Sequence, residues 1–507
     1  MFFIKHKNES LYKKVGKSNT KSLLPTLEEN FKFINNSFND TQDLMMREVI
    51  FHNDQGYLIY LETMVDTEEI LERFLKPLAK VDEDDDLINI ITDVNLKETS
   101  DLNELISSLL KGYSVLLVEG KNEAFSFQTK QKNDRSIEEP ETEKVVRGSH
   151  QGFVENIDMN MNLIRQRIIN QNLVVKFYEL GSESKTKVAI VYMNQKVDSK
   201  LINEIEGKIL SISNDDTFST GQIEEYIEEY PLSPFPQILY TERPDQLEAH
   251  LMEGRVGIMS EGSPDAIIMP VTFYSFFQSP DDFNNRLYTG SIFRLLRLLS
   301  FWGTLILPAL YIAVISFHFE IIPYEMITLV KSSIENIPFH PFFEVLFMAI
   351  TIELIRESGM RLPSPIGETI GIVGGLIIGD AVVSAGLISN TMVIVIALTA
   401  IMSFTIPSYE LSNTVRILTL PVMIGATIFG FVGIVASILF IIMHMCKIQS
   451  FGIPYISPVI SPKFNYFKNA IIRFPAPLIN YHQQFKRKHK QGGMQSIRKW
   501  IMNARTK

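Results

Sequence analysis

A single cysteine, Cys446, stands among 507 residues. Such a chain can close no internal disulfide, which fits folding in a reducing compartment. The opening residues Met1-Phe2-Phe3-Ile4-Lys5-His6-Lys7 hold no apolar run of signal-peptide length, so the first half is expected to fold in the cytoplasm. No phosphate-binding loop occurs, no Gly-x-Gly-x-x-Gly follows a strand pattern, and the nine histidines include no His-Glu-x-x-His. Gly262-Ser263-Pro264 lacks the second glycine of a nucleophile elbow. These gaps argue against an enzyme, a metal centre and a cofactor. His150 and His250 are expected at the surface, and His318, His340 and His444 at the ends of apolar segments rather than as ligands.

Charge is missing from long stretches. Residues 298–319 carry none over 22 positions, and 417–446 none over 30. A helix rises about 1.5 Å per residue, so roughly 20 apolar residues cross a ~30 Å hydrocarbon core. A multi-pass membrane protein is expected. The remaining charge is segregated: 32 Lys/Arg against 49 Asp/Glu in 1–297, 4 against 9 in 298–446, and 12 against none in 447–507. The acidic half is a poor partner for nucleic acid. The basic tail, with Lys486-Arg487-Lys488-His489-Lys490, suits anionic lipid or an acidic partner.

The pattern along the chain predicts an α/β N-terminal half of two small α/β subdomains, followed by an α-helical multi-pass membrane domain. Residues 1–20 lack an apolar period and read as disordered. The first subdomain spans 21–130, with helices over 23–38, 67–78 and 102–110. Its strands fall at 48–52, 56–61 and 113–118, with a turn at Asn53-Asp54. A charged linker, 131–147, leads to the second subdomain, 148–288. There helices are expected over 159–169, 200–211 and 244–253, and strands at 173–178, 188–192, 237–241 and 256–259. Alternating strands and helices imply layered α/β units without fixing the strand order.

Five apolar segments, about 298–319, 342–355, 366–388, 391–406 and 417–446, make up the membrane domain, 289–446. Five full crossings would place the basic tail, 447–507, outside. Twelve basic residues outweigh Arg356 and Arg361, so four full spans and one partial segment, with both ends cytoplasmic, fit better. Pro308 is read as a kink in the first span. In the third segment Gly367, Gly371, Gly375 and Gly379 recur every four residues, three overlapping GxxxG motifs that allow close helix approach. Asp380 projects to the other side, in line with Val373, Ile377, Ser384 and Leu387. A carboxylate within a span marks a functional site by default, so Val373, Ile377, Asp380, Val383 and Ser384 are candidates for a pore or gate. A salt bridge to Arg356, Arg361 or Arg416 is the competing role for Asp380. Glu344, Glu353, Arg356 and Arg361 are candidate interfacial charges; the two glutamates, nine residues apart, lie on opposite helix faces.

The run Glu353-Leu354-Ile355-Arg356-Glu357-Ser358-Gly359-Met360-Arg361-Leu362-Pro363-Ser364-Pro365-Ile366-Gly367, continuing to Gly371-Ile372-Val373-Gly374-Gly375-Leu376, resembles the membrane core of spore germination receptor A subunits. So do Gly152-Phe153-Val154-Glu155-Asn156, Ser184-Lys185-Thr186-Lys187-Val188, Pro234-Phe235-Pro236-Gln237, Thr241-Glu242-Arg243-Pro244-Asp245, Glu253-Gly254-Arg255-Val256 and Phe276-Phe277-Gln278-Ser279. Ile406-Pro407-Ser408-Tyr409-Glu410 and Gly452-Ile453-Pro454-Tyr455 extend the likeness, which covers about 20–460. Glu261 stands where an aspartate is expected and Ser358 where an alanine is expected. The resemblance implies a nutrient-germinant receptor subunit in the spore inner membrane. It implies partnership with a transporter-like B subunit and a lipoprotein C subunit, and a homo-oligomeric cation channel. A non-conducting scaffold that docks those subunits is the alternative.

Overall fold

The computed structural model describes residues 21–24, 26–51, 54–78, 96–131, 139–212, 219–335, 337–457 and 473. The expectations for 1–20, Asn53, 132–138 and the basic run 486–490 fall outside them.

The first subdomain opens with helix α1 (Leu27–Ser37), started by Thr26, whose hydroxyl accepts the Glu29 N–H. Strands β1 (Leu44–Phe51) and β2 (Asp54–Leu61) form an antiparallel pair. Asp66 then caps a helical stretch over 67–78, accepting the N–H groups of Glu68 and Glu69. After β3 (Lys97–Thr99), α2 (Leu102–Leu109), β4 (Tyr113–Val118) and β5 (Ala124–Gln128), the sheet reads β1-β2-β4-β5-β3 with every pairing antiparallel. Both faces are covered, as the period-two alternation of the strands requires. Ile59, Leu61, Val115 and Leu117 pack with Ile34 and Leu105, while Leu58, Leu116 and Val118 pack with Ile70 and Phe74.

The second subdomain repeats this plan. Helix α3 (Ile157–Arg167) leads into β6 (Leu173–Leu180) and β7 (Thr186–Met193). Helices α4 (Ser199–Leu210) and α5 (Thr220–Ile227), β8 (Leu239–Thr241), α6 (Pro244–Glu253), β9 (Val256–Ser260) and β10 (Ala266–Met269) follow. Its sheet order, β6-β7-β9-β10-β8, is the first one over again, also all antiparallel. The helix preceding each sheet is tied down alike. Asn30 Oδ1 accepts the Leu24 N–H and its amide donates to the Leu24 carbonyl. Asn160 makes the same pair of bonds to Val154, also six residues back. Two copies of one topology follow each other in the chain.

The linker is not loose where it is described. Glu143 accepts from Thr241 Oγ1 at 2.6 Å, the Glu242 N–H at 3.0 Å and Gln246 Nε2 at 2.9 Å. Buried Arg243 donates to the carbonyls of Glu143 and Ser149.

The C-terminal region is helical: α7 (Pro280–Asn284), α8 (Leu287–Phe317), α9 (Tyr324–Ile334), α10 (Pro341–Arg361), α11 (Ser364–Ser384), α12 (Asn390–Phe404), α13 (Tyr409–Phe429) and α14 (Phe431–Lys447). Helix α8 lies centrally, against α12 and α13. By length and composition α8 and α13 could cross a membrane; α12 and α14 are apolar but shorter. The apolar run 417–446 is not one rod. Gly430, at φ 59° and ψ −134°, ends α13 and starts α14, a backbone conformation that disfavours any side chain. The two helices fold back so closely that a Cβ on Gly433 would overlap the Gly425 carbonyl. Hydropathy counts apolar residues and registers neither event.

Candidate functional site

Helix α11 carries the glycine stripe and the candidate pore residues. It packs mainly on α10, its neighbour in sequence. A Cβ on Gly367 would meet the Gly359 carbonyl oxygen at 2.9 Å, but one on Gly371, Gly375 or Gly379 would meet nothing within 4 Å among the described residues. Asp380 and Ser384 are exposed, Ile377 is 60% exposed, and Val383 is partly buried. The side chain of Val373 lies outside the described ones. Among the described residues Asp380 has no ion pair. The arginines considered for it are committed elsewhere: Arg356 and Arg416 to Glu353, Arg361 to Glu357.

The four candidate interfacial charges are placed differently from one another. Glu344 is buried, at 1% exposure, and accepts the Ser389 N–H at the start of α12; the Ser389 hydroxyl lies 2.8 Å from Tyr311 Oη. Glu353 and Arg356 line a groove against α13, and Arg361 is exposed.

A second site, marked in the sequence only by family-like motifs such as Pro234-Phe235-Pro236-Gln237, Phe276-Phe277-Gln278-Ser279 and Gly452-Ile453-Pro454-Tyr455, joins the second subdomain to the helices. Three prolines, Pro231, Pro234 and Pro236, keep this segment out of regular structure. Ser233 Oγ lies 2.9 Å from His444 Nε2 on α14, and the Thr414 hydroxyl on α13 donates to the Pro234 carbonyl. Phe235, 1% exposed, packs against the rings of His444 and Tyr455. Ser450 Oγ donates to the Gln237 carbonyl and accepts the Val271 N–H. The apolar core runs unbroken from Phe273, Phe276 and Phe277 to Phe301 and Leu305 on α8. The base of α8 is pinned too: buried Asp282 accepts from Arg294 and Arg297, and its carbonyl from Arg473.

Acid groups crowd this junction. Glu224 on α5 is pushed up to about 9, first by burial and then by Glu410, Glu228 and Asp265 nearby. His250, expected at the surface, is buried beside Glu253 and Arg255; burial and the Arg255 charge push its pKa down. Helix α6 turns it inward because its apolar face, Leu247 and Leu251, packs on the sheet.

A tandem α/β repeat whose second copy shares one apolar core with a helical bundle defines the class of this chain: paired α/β units built onto packed apolar helices. Comparison with known proteins places it within that class. Residues 32–485 match the family model described as Bacillus/Clostridium GerA spore germination protein, and the chain belongs to this family. It is 37% identical to spore germination protein B1 of Bacillus subtilis (strain 168) over 89% of this chain and 95% of that protein. Against spore germination protein A1 of the same organism the identity is 36%, over 92% and 95%. Against the B. subtilis protein described as uncharacterized membrane protein YfkQ it is 35%, over 92% of each. The crystal structure of the N-terminal domain of the A subunit of the Bacillus megaterium spore germinant receptor GerK3 aligns at 27% identity and a TM-score of 0.40, over 50% of this chain and 99% of that one.

Proposed function

We infer that this chain is the A subunit of a nutrient-germinant receptor and acts in spore germination as a gated, homo-oligomeric cation channel. Its helical region is multi-pass in the spore inner membrane, with the α/β repeats and the basic tail cytoplasmic. A transporter-like B subunit and a lipoprotein C subunit complete the receptor. Family membership supports the role in germination. One observation supports the channel reading: a 21-residue helix, α11, where a Cβ on Gly371, Gly375 or Gly379 would meet nothing within 4 Å among the described residues and where Asp380 is exposed. A glycine face open to close approach suits contact between copies. An intramembrane carboxylate needs water, and a path lined by Val373, Ile377, Asp380, Val383 and Ser384 would provide it.

The scaffold reading draws on the junction, whose hydrogen bonds tie the second repeat to α13 and α14 and would couple them with or without a pore. Purified chain in liposomes separates the two. Cation flux supports the channel; silence with intact subunit binding supports the scaffold. Gly375→Leu is expected to abolish assembly, and Asp380→Asn to change conductance or ion preference. Unchanged flux in the Asp380 variant removes that residue from the path.

A further inference from the structure

Between α10, α12 and α13 lies a groove of about 580 Å³, with α8 as its floor, well inside the roughly 300–1,000 Å³ range of small-molecule sites. One end is charged. Arg356 and Arg416 both turn to Glu353, Arg416 Nε at 3.6 Å, and both donate to Asn413 Oδ1. The other acid in the wall, Glu357, is taken by Arg361 at 2.6 Å. Two guanidinium groups therefore share one carboxylate, and the charged end carries one positive charge in excess. Hydrogen-bonding capacity is left over as well: among the described residues, buried Arg356 Nε and Thr304 Oγ1 have no partner.

The rest of the wall is mainly apolar, interrupted by hydroxyls such as Thr399, Ser403 and Thr419, and is open to the side, with Ile350 52%, Phe404 59% and Leu420 42% exposed. The charged end also has a fixed level. Thr414, beside Asn413 and Arg416, touches Pro234 of the second subdomain, so this end sits where the helices meet the soluble repeats. From Arg416 the apolar wall continues to Met423, seven residues or about 10 Å along α13.

We propose that this groove binds an acidic phospholipid from the leaflet facing the α/β repeats, its anionic headgroup on Arg356 and Arg416 and one acyl chain along α12 and α13. The site rests on the membrane reading given above. Basic pockets between helices at the cytoplasmic surface hold anionic headgroups through such charge excess, while a zwitterionic headgroup gains no net attraction. A free fatty acid has the same chemistry, an anion on an acyl chain, and the test tells the two apart.

The full chain, purified in mild detergent and stripped of lipid, is given equal amounts of phosphatidylglycerol, phosphatidylcholine and palmitate and weighed by native mass spectrometry. Phosphatidylglycerol is expected to be retained roughly tenfold over phosphatidylcholine. Arg356→Gln with Arg416→Gln should erase the preference. Ala400→Trp, which fills the groove and keeps the charges, should reduce retention of every acyl chain. Lys331→Gln on α9, a residue outside the groove lining, should leave the preference intact. Equal retention of the two phospholipids by the unaltered chain overturns the proposal, as does preference for palmitate alone. Carbonate washing of the membranes distinguishes the failures: a chain that washes free refutes the membrane reading itself, whereas one that stays embedded without selecting the acidic lipid refutes only the site.

Discussion

Arg165 on α3 and Asp43, just before β1, form a fully buried ion pair, 2.7 Å between Nη2 and Oδ1, that locks one α/β repeat to the other. The hydroxyls of Thr41 and Thr63 donate to the same carboxylate, and the Gln42 N–H donates to the Val175 carbonyl on edge strand β6. The joint is a polar weld rather than a hinge. Arg165→Met strands the Asp43 carboxylate in the interior and is expected to cost about 3–5 kcal/mol, read from urea unfolding of the α/β region. Pairing it with Asp43→Leu should recover much of the loss, because no charge then stays buried alone.

Gly430 permits the turn between α13 and α14. A Cβ there would sit 3.0 Å from His318 Nε2, on a backbone at φ 59°. Gly430→Ala should lower stability by about 1–3 kcal/mol. Gly433→Val should be worse, since the clash is with backbone rather than with a flexible side chain. Thermal unfolding in detergent measures both.

Glu143 gives the linker a pH dependence. Burial lifts its pKa from 4.5 to about 7 in the folded chain. The folded state then holds a proton that the unfolded chain has released, so this group's stabilisation is complete below about 4.5 and is lost as pH rises through about 7. In Glu143→Gln the fall in stability between those limits should flatten, as followed by unfolding at a series of pH values. An unchanged slope would show that the linker carboxyl titrates normally.

Phe235→Ala should loosen the junction, removing a ring that packs on His444 and Tyr455. A loss of about 3–5 kcal/mol is typical for a buried phenylalanine. Hydrogen exchange should speed up in 231–241 and 448–455 while the first repeat, tied to the second through Asp43 and Arg165, stays protected.

Much of this protein is local and therefore legible in its residues. The caps Asp66 and Asn156 start their helices because a short side-chain oxygen reaches a free N–H two or three residues on. The alternating strands of both repeats and the charge-poor segments likewise follow from period and composition. Folding partners far apart in sequence is another matter. The shared strand order, the inward turn of His250, the Asp43–Arg165 weld and the grouping of Arg356 with Arg416 depend on which surfaces meet. Gly430 is the sharpest case: thirty uncharged residues specify an apolar helix, but only packing of Gly425 on Gly433 makes them two. Hydrophobic burial is non-directional and fixes what goes inside, whereas close backbone approach and paired charges, formed only in three dimensions, fix how it is arranged.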